Sequence, residues 1–222
     1  MRDFNKEKEG ILARINSGLV DIKNLHPFFK RDRDIVLATV KKNGMNLRYV
    51  DKCSNSDKEI INEAIISNPF IMQHLRNEYK SDKNVVVKGL TNHDYFYSGA
   101  YQFIPKNLKT DKDILDYISK RNPFMYRFVP KSLKSDRLLA KRFIENNGIC
   151  LAFASKEFRN DFELCVIACK GRVDAIKFVG DTVLDDPRFA LEVIESLSPK
   201  ELFIGSTLKA LPKHIVDLYN KD

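Results

Sequence analysis

An aspartate returns along this chain at Asp32, Asp57, Asp82, Asp111, Asp136, Asp161 and Asp186, giving spacings of 25, 25, 29, 25, 25 and 25 residues. That period constrains the fold more than any other property of the sequence. A unit so short cannot bury its own apolar face, and it must bury that face against the next copy. Every aspartate but the first follows Ser56, Ser81, Thr110, Ser135, Asn160 or Asp185, which puts two helix-capping residues at the head of each unit. Ser56/Glu59, Thr110/Asp113 and Asn160/Glu163 have the spacing of a reciprocal capping box.

With the aspartate counted as offset 1, apolar residues follow at offsets 4, 5, 8 and 9, as in Ile60, Ile61, Ala64 and Ile65 or Leu164, Cys165, Ala168 and Cys169. This is a helical stripe, since a strand would alternate. It runs into Asn43-Gly44, Asn68-Pro69, Asn122-Pro123 and Asn147-Gly148, where Gly suits a left-handed helix end and Asn-Pro suits a cap followed by a helix-starting proline. A second apolar run at offsets 14, 16, 18 and 19, as in Phe124, Tyr126, Phe128 and Val129, breaks at Pro105, Pro130, Gly180 or Gly205. The pattern predicts an all-α fold, an α-solenoid of about seven 25-residue two-helix repeats, right-handed by analogy. Residues 32–197 form the array, 1–31 an N-terminal cap or degenerate repeat, and 198–222 a C-terminal cap, all in one continuous domain. In the first segment Ile11, Leu12 and Ile15 make one stripe and Leu19, Ile22 and Leu25 another, with Gly18 at the corner.

Asp32 to Val50, Asp-Arg-Asp-Ile-Val-Leu-Ala-Thr-Val-Lys-Lys-Asn-Gly-Met-Asn-Leu-Arg-Tyr-Val, resembles the repeat of an uncharacterised bacterial and protist helical-repeat family. That family is a domain of unknown function whose units read roughly D-x-x-V-V-L-A-A-V-x-x-N-G-x-x-L-x-Y-A. Asp136 to Ala154 is similar to it as well, through Asn147-Gly148 and Leu151-Ala152-Phe153-Ala154, and the resemblance spans Asp32 to Leu184. It implies a repeat fold and carries over no activity or catalytic residue.

A formal charge of +8 makes its distribution the first clue to partners. Equal offsets stack in a solenoid, so lysines and arginines become ladders: Lys80, Lys109, Lys134 and Arg159 at offset 24; Arg33, Lys58, Lys83, Lys112 and Arg137 at offset 2; Arg48, Arg127 and Lys177 at offset 17; Lys52, Lys106, Lys131 and Lys156 at offset 21. The ladders serve as a solvated ridge, a phosphate-tracking groove or a face for an acidic protein, with the capping aspartates neutralising them in part. The unit of 29 residues carries its extra residues in 91–100, where His93 and Asp94 precede three consecutive aromatics, Tyr95, Phe96 and Tyr97. A departure from an otherwise consistent pattern marks a candidate contact loop. Adjacent His93 and Asp94 without a marked nucleophile are a poor catalytic pair.

Cys53, Cys150, Cys165 and Cys169 fall in no metal spacing, and two of them sit on a core stripe, so they are expected as structural thiols. His26 and His74 are expected as packing or surface residues. No cofactor or metal is implied. The N-terminus has no signal-like apolar run, which points to the cytoplasm, although a secretion route without a cleaved signal leaves no trace in such a sequence. The sequence therefore predicts a non-enzymatic scaffold for protein partners, with nucleic-acid binding through the ladders as the alternative. A helical-repeat enzyme has only analogy behind it. The pattern sets no oligomeric state and offers no membrane contact.

Overall fold

The computed structural model describes residues 4–51, 56–90 and 101–196. Among these residues the chain is helical and contains no strand. In chain order the α-helices are α1 (Phe4–Asn16), α2 (Arg33–Lys42), α3 (Lys58–Ser67), α4 (Asn77–Lys80), α5 (Lys83–Leu90), α6 (Lys106–Lys109), α7 (Lys112–Arg121), α8 (Arg137–Asn146), α9 (Phe162–Gly171), α10 (Asp181–Leu184) and α11 (Pro187–Ser196). The chain groups into two compact units, Met1–Lys109 and Thr110–Asp222. In the first, α1, α2, α3 and α5 pack in sequence; in the second, α7, α8, α9 and α11 do.

Each repeating aspartate caps the helix after it. Asp32 accepts from the amides of Asp34 and Ile35 at 3.0 and 3.2 Å, and Asp57, Asp82, Asp111, Asp136, Asp161 and Asp186 make the equivalent bonds. Such a cap satisfies amides that the helix itself leaves orphaned, worth about 1 kcal/mol apiece. Glu59 and Glu163, expected to close capping boxes, instead turn outward to arginines of the preceding repeat. The aspartate already fills the capping site, so the glutamate is free for another partner.

Offsets 4, 5, 8 and 9 are buried as the stripe predicts. They are Ile60, Ile61, Ala64 and Ile65 in α3, Ile114, Leu115, Ile118 and Ser119 in α7, and Leu139, Ala140, Phe143 and Ile144 in α8. Each large apolar side chain so buried contributes roughly 1.5–3 kcal/mol, an upper estimate against an extended chain. Polar members of the stripe are satisfied locally: the Thr39 hydroxyl donates to the Val36 carbonyl at 2.7 Å, and that of Ser119 to the Asp116 carbonyl at 2.8 Å.

The second half of the repeat differs from the predicted two-helix form. After the corner comes a six-residue 3₁₀ helix: Gly44–Tyr49, Pro69–His74, Pro123–Phe128, Gly148–Phe153 or Val173–Phe178. A third, shorter helix ends the unit, as at Phe29–Arg31, α4, α6, Lys131–Leu133, Phe158–Asn160 and α10. Three helical segments therefore make one repeat. The 3₁₀ form has three residues per turn, so offsets 16 and 19 share a buried face, as with Tyr126 and Val129 or Ile176 and Val179. Phe124 and Phe128, expected on that face, are only half-buried.

Corner geometry is also different. Asn43, Asn68 and Asn147 lie in extended conformation near φ −153° to −159° and cap the 3₁₀ helix through their side chains. Gly44 and Gly148 are not left-handed; Gly18, at φ 77°, is the sole positive-φ residue among the described ones. What these two corners demand is closeness. A Cβ on Gly44 would overlap the carbonyl oxygen of Ala64, and one on Gly148 that of Ala168. The corner of one repeat therefore rests on offset 8 of the next. The expected prolines at the first position of the next helix, Pro69 and Pro123, are found there.

In the N-terminal segment Ile11 and Ile15 of α1 pack with Phe29 and Ile35, and Ile22 is buried. Leu19, expected on the second stripe, is 75% exposed because the chain is turning beside Gly18. The expected C-terminal cap, 198–222, lies outside the described residues.

Candidate functional site

The contact-loop residues His93, Asp94, Tyr95, Phe96 and Tyr97, and the ladder residue Lys52, lie outside the described residues. The other ladder positions do not share one role. Offset 24 is turned inward: the ammonium groups of Lys80, Lys109 and Lys134 donate to the carbonyls of Gln73, Gln102 and Arg127 at 2.9, 2.6 and 3.3 Å. Lys30 does the same to Lys23 at 2.8 Å, always seven residues back. These carbonyls lie near the ends of 3₁₀ turns, where the helix leaves acceptors unfilled, and the lysine clamps the turn to the end of its repeat. The cations of Lys109 and Lys134 also sit 5.9 and 5.4 Å from the ring centres of the fully buried Tyr101 and Tyr126. Burial holds both lysines below their ordinary pKa. Arg159, the last of this ladder, is half-buried with its Nε unpartnered.

At offset 2, Arg33 and Arg137 are spent on carboxylates of the following repeat. Arg33 reaches Asp57 at 2.8 Å and also Glu59; Arg137 reaches Asp161 at 2.8 Å and Glu163 at 2.6 Å, where Lys141 joins at 2.6 Å. Lys8 bridges Asp32 and Asp34 in the same way, at 2.9 and 2.6 Å. The Arg137 guanidinium holds the Asp161 carboxyl below its ordinary range, and Lys141 with Arg137 does so for Glu163. At offset 17, Arg127 lies 4.9 Å from the Phe128 ring centre and 5.9 Å from that of Phe153, while Lys177 pairs with Asp174 at 3.1 Å. Lys106, Lys131 and Lys156 at offset 21 are exposed. The ladders thus divide: offset 24 clamps its own repeat at Lys80, Lys109 and Lys134, offset 2 bridges to the next repeat at Arg33 and Arg137, and the described residues of offsets 17 and 21 are exposed.

Between the first turns of consecutive α-helices runs a notch whose rim is offset 2 of one repeat and offset 3 of the next. Arg33 with Glu59 bridges it between α2 and α3, and Arg137 with Glu163 between α8 and α9. Between α9 and α11 the rim is closed differently, with Arg188 lying 5.6 Å from the Phe162 ring centre. Between α7 and α8 the positions are Lys112 and Leu138, and no bridge forms. A cavity of about 310 Å³ opens there, lined by Thr110, Lys112, Leu115, Leu133, Asp136, Leu138, Leu139 and Arg142. Leu138 is 62% exposed on its edge. The notch between α3 and α5, rimmed by Lys58 and Asn84, holds only about 80 Å³. Sequence reasoning passed over this site, although offset 3 reads Asp34, Glu59, Asn84, Asp113, Leu138, Glu163 and Arg188, a single apolar residue in a polar column.

A family model described as a domain of unknown function (DUF4116) matches residues 12–52, 111–159 and 136–184, together just over half of the chain. The chain belongs to this family. Two of the DUF4116 matches begin one 25-residue repeat apart, at 111 and 136, so the family's own unit spans about two repeats. The first match begins at residue 12, earlier than the resemblance at Asp32, and residues 53–110 and 185–222 are left unmatched. No curated protein and no solved structure matches the chain.

The remaining chemistry-bearing residues sit in structural surroundings. Cys150, Cys165 and Cys169 are free and buried, and burial pushes each thiol up to about 12. Cys53 lies outside the described residues. His26 accepts from the Phe28 amide at 3.3 Å, and burial, then Arg48 and Lys80, lower the pKa of His74. Among the described residues, no group of three or more His, Cys, Asp or Glu side chains is placed to hold a metal ion, and no helix is long and apolar enough to cross a membrane.

Proposed function

We propose that the chain is a non-enzymatic helical-repeat scaffold, an α-solenoid of about seven repeats that binds protein partners along the rims between repeats. The observation that carries this reading is the contrast between core and rim. Offsets 4, 5, 8 and 9 repeat as buried positions from unit to unit, whereas offsets 2 and 3 change from Arg/Glu bridges to an open Lys112/Leu138 notch. A surface that varies on a constant frame is suited to recognition, which repeat proteins distribute over several units. The stretch from His93 to Tyr97 is a second candidate contact.

Nucleic-acid binding is the weaker alternative. Phosphate tracking needs cations that are free to shed their counterions. Lys80, Lys109 and Lys134 instead serve carbonyls of the molecule, and Arg33 and Arg137 serve its own carboxylates.

Affinity capture on the immobilised chain, with and without nuclease, separates the two. The expected result is protein partners that survive nuclease treatment, with some lost when Tyr95, Phe96 and Tyr97 are all changed to alanine. Retention of duplex or single-stranded oligonucleotides at about 50 mM salt, combined with loss of every captured protein on nuclease treatment, would overturn the scaffold reading.

A further inference from the structure

Five rims in the described residues have a first-helix partner on both sides and a basic residue at or equivalent to offset 2, and three of them are filled from within. Asp34 meets Lys8, Glu59 meets Arg33, and Glu163 meets Arg137 and Lys141. The molecule itself thereby shows which chemistry this position accepts: a carboxylate lying across the first turns of two neighbouring helices. Of the other two, the α3/α5 rim sets Asn84 beside Lys58 over only about 80 Å³, and between α7 and α8 the base is present as Lys112 but the acid has been replaced by Leu138. Neither Lys112 nor Arg142 has a carboxylate partner among the described residues. Asp136, the one acid of the lining, is already engaged by the Leu139 amide at 3.0 Å. Leu115, Leu133, Leu138 and Leu139 supply an apolar floor and edge.

We infer that this notch is a docking site for an acidic peptide segment of a partner protein, one that places an aliphatic or aromatic side chain against Leu133, Leu138 and Leu139 and flanking carboxylates on Lys112 and Arg142. The partner supplies the acid that Glu59 and Glu163 supply elsewhere. An apolar anchor with charged flanks fits the division of labour at interfaces, in which the buried centre holds and the rim steers. The site deepens the scaffold reading and rests on it.

The test uses the full chain and three immobilised sets of nonapeptides, each with a central Leu, Ile, Met or Phe and with flanks of Glu, Gln or Lys, alongside single-stranded DNA. Leu138→Glu restores the acid found at the closed rims, and Lys112→Gln with Arg142→Gln removes the cations without touching the apolar floor. Retention is expected for the Glu set alone, falling about tenfold in Leu138→Glu and at least about threefold in the double variant, both variants melting as the wild type does. Unchanged retention of the Glu set by both variants overturns the notch while the scaffold reading stands. Failure of the wild type to retain any Glu peptide overturns the notch too, and nuclease-treated capture then decides the scaffold separately. Uptake of DNA in place of the Glu peptides, lost in the same variants, overturns both readings.

Discussion

The junction between α7 and α8 and the junction between α8 and α9 are built from the same offsets and solved in opposite ways. Behind α8, Gly148 brings its backbone against the Ala168 carbonyl, so two small residues set a close approach, and Arg137 crosses the rim to Asp161 and Glu163. Ahead of α8, the corner is Pro123, offset 8 is Phe143 stacked on Tyr126 with ring centres 4.8 Å apart, and the rim is left open at Leu138. Small residues with a bridged rim face a large aromatic pair with an unbridged one. The difference teaches that the residue at offset 8 decides whether the preceding corner meets backbone or a ring, while the rim is a separate choice made in solvent.

That comparison can be broken at several points, and urea denaturation reads each of them. Phe143→Ala empties the fully buried centre of the α7/α8 junction and should cost about 4 kcal/mol. Gly148→Ala forces a Cβ into the Ala168 carbonyl and should cost about 3 kcal/mol, whereas Gly171→Ala, with open space around it, should be neutral or up to about 1 kcal/mol stabilising. A neutral Gly148→Ala would mean that the two junctions are not distinguished by closeness at all. Lys134→Met leaves the Arg127 carbonyl without its donor and should cost about 1 kcal/mol.

Acid should affect the two rims unequally. The folded-state pKa values of Asp161 and Glu163 are depressed, so their contribution is present above the ordinary carboxylate range and is lost as pH falls through it, below about pH 4. Arg137→Gln should flatten the fall in urea midpoint over that window and leave the neutral-pH slope unchanged; an identical acid profile in wild type and variant would remove the bridge from the comparison. The smallest effect on stability belongs to Leu138→Glu, within about 0.5 kcal/mol, since an exposed first-turn position tolerates an acid. Its effect is reserved for binding.

The helical repeat was legible because capping and periodicity are local: an Asp before a four-residue stripe states a helix start whatever packs around it, and all seven aspartates cap as read. The 3₁₀ form of the second segment was not, since apolar residues at offsets 14 to 19 fit either helix type and only the burial of 15, 16 and 19 together decides. The sequence locates the corner glycines but not the reason for them, because a glycine required by a neighbour's carbonyl cannot be told from one required by its own φ without that neighbour in view. The charged ladders were visible as columns, but a column does not show where its side chains turn. Lys134 and Lys131 stand three residues apart, one bound to a carbonyl and half-buried, the other in water. Leu138 stood out only once its column was read against the bridges on either side.

The Gly148–Ala168 approach also bears on how such a chain can lengthen. A repeat ending in Asn-Gly accepts only a successor whose eighth residue leaves room for its backbone, and a repeat whose eighth residue is as bulky as Phe143 cannot follow it. Copying cut at the aspartates would separate each corner from the helix fitted to it. An array that grows by duplication must therefore inherit corner and following helix as one piece, so its module of descent straddles the repeat boundary.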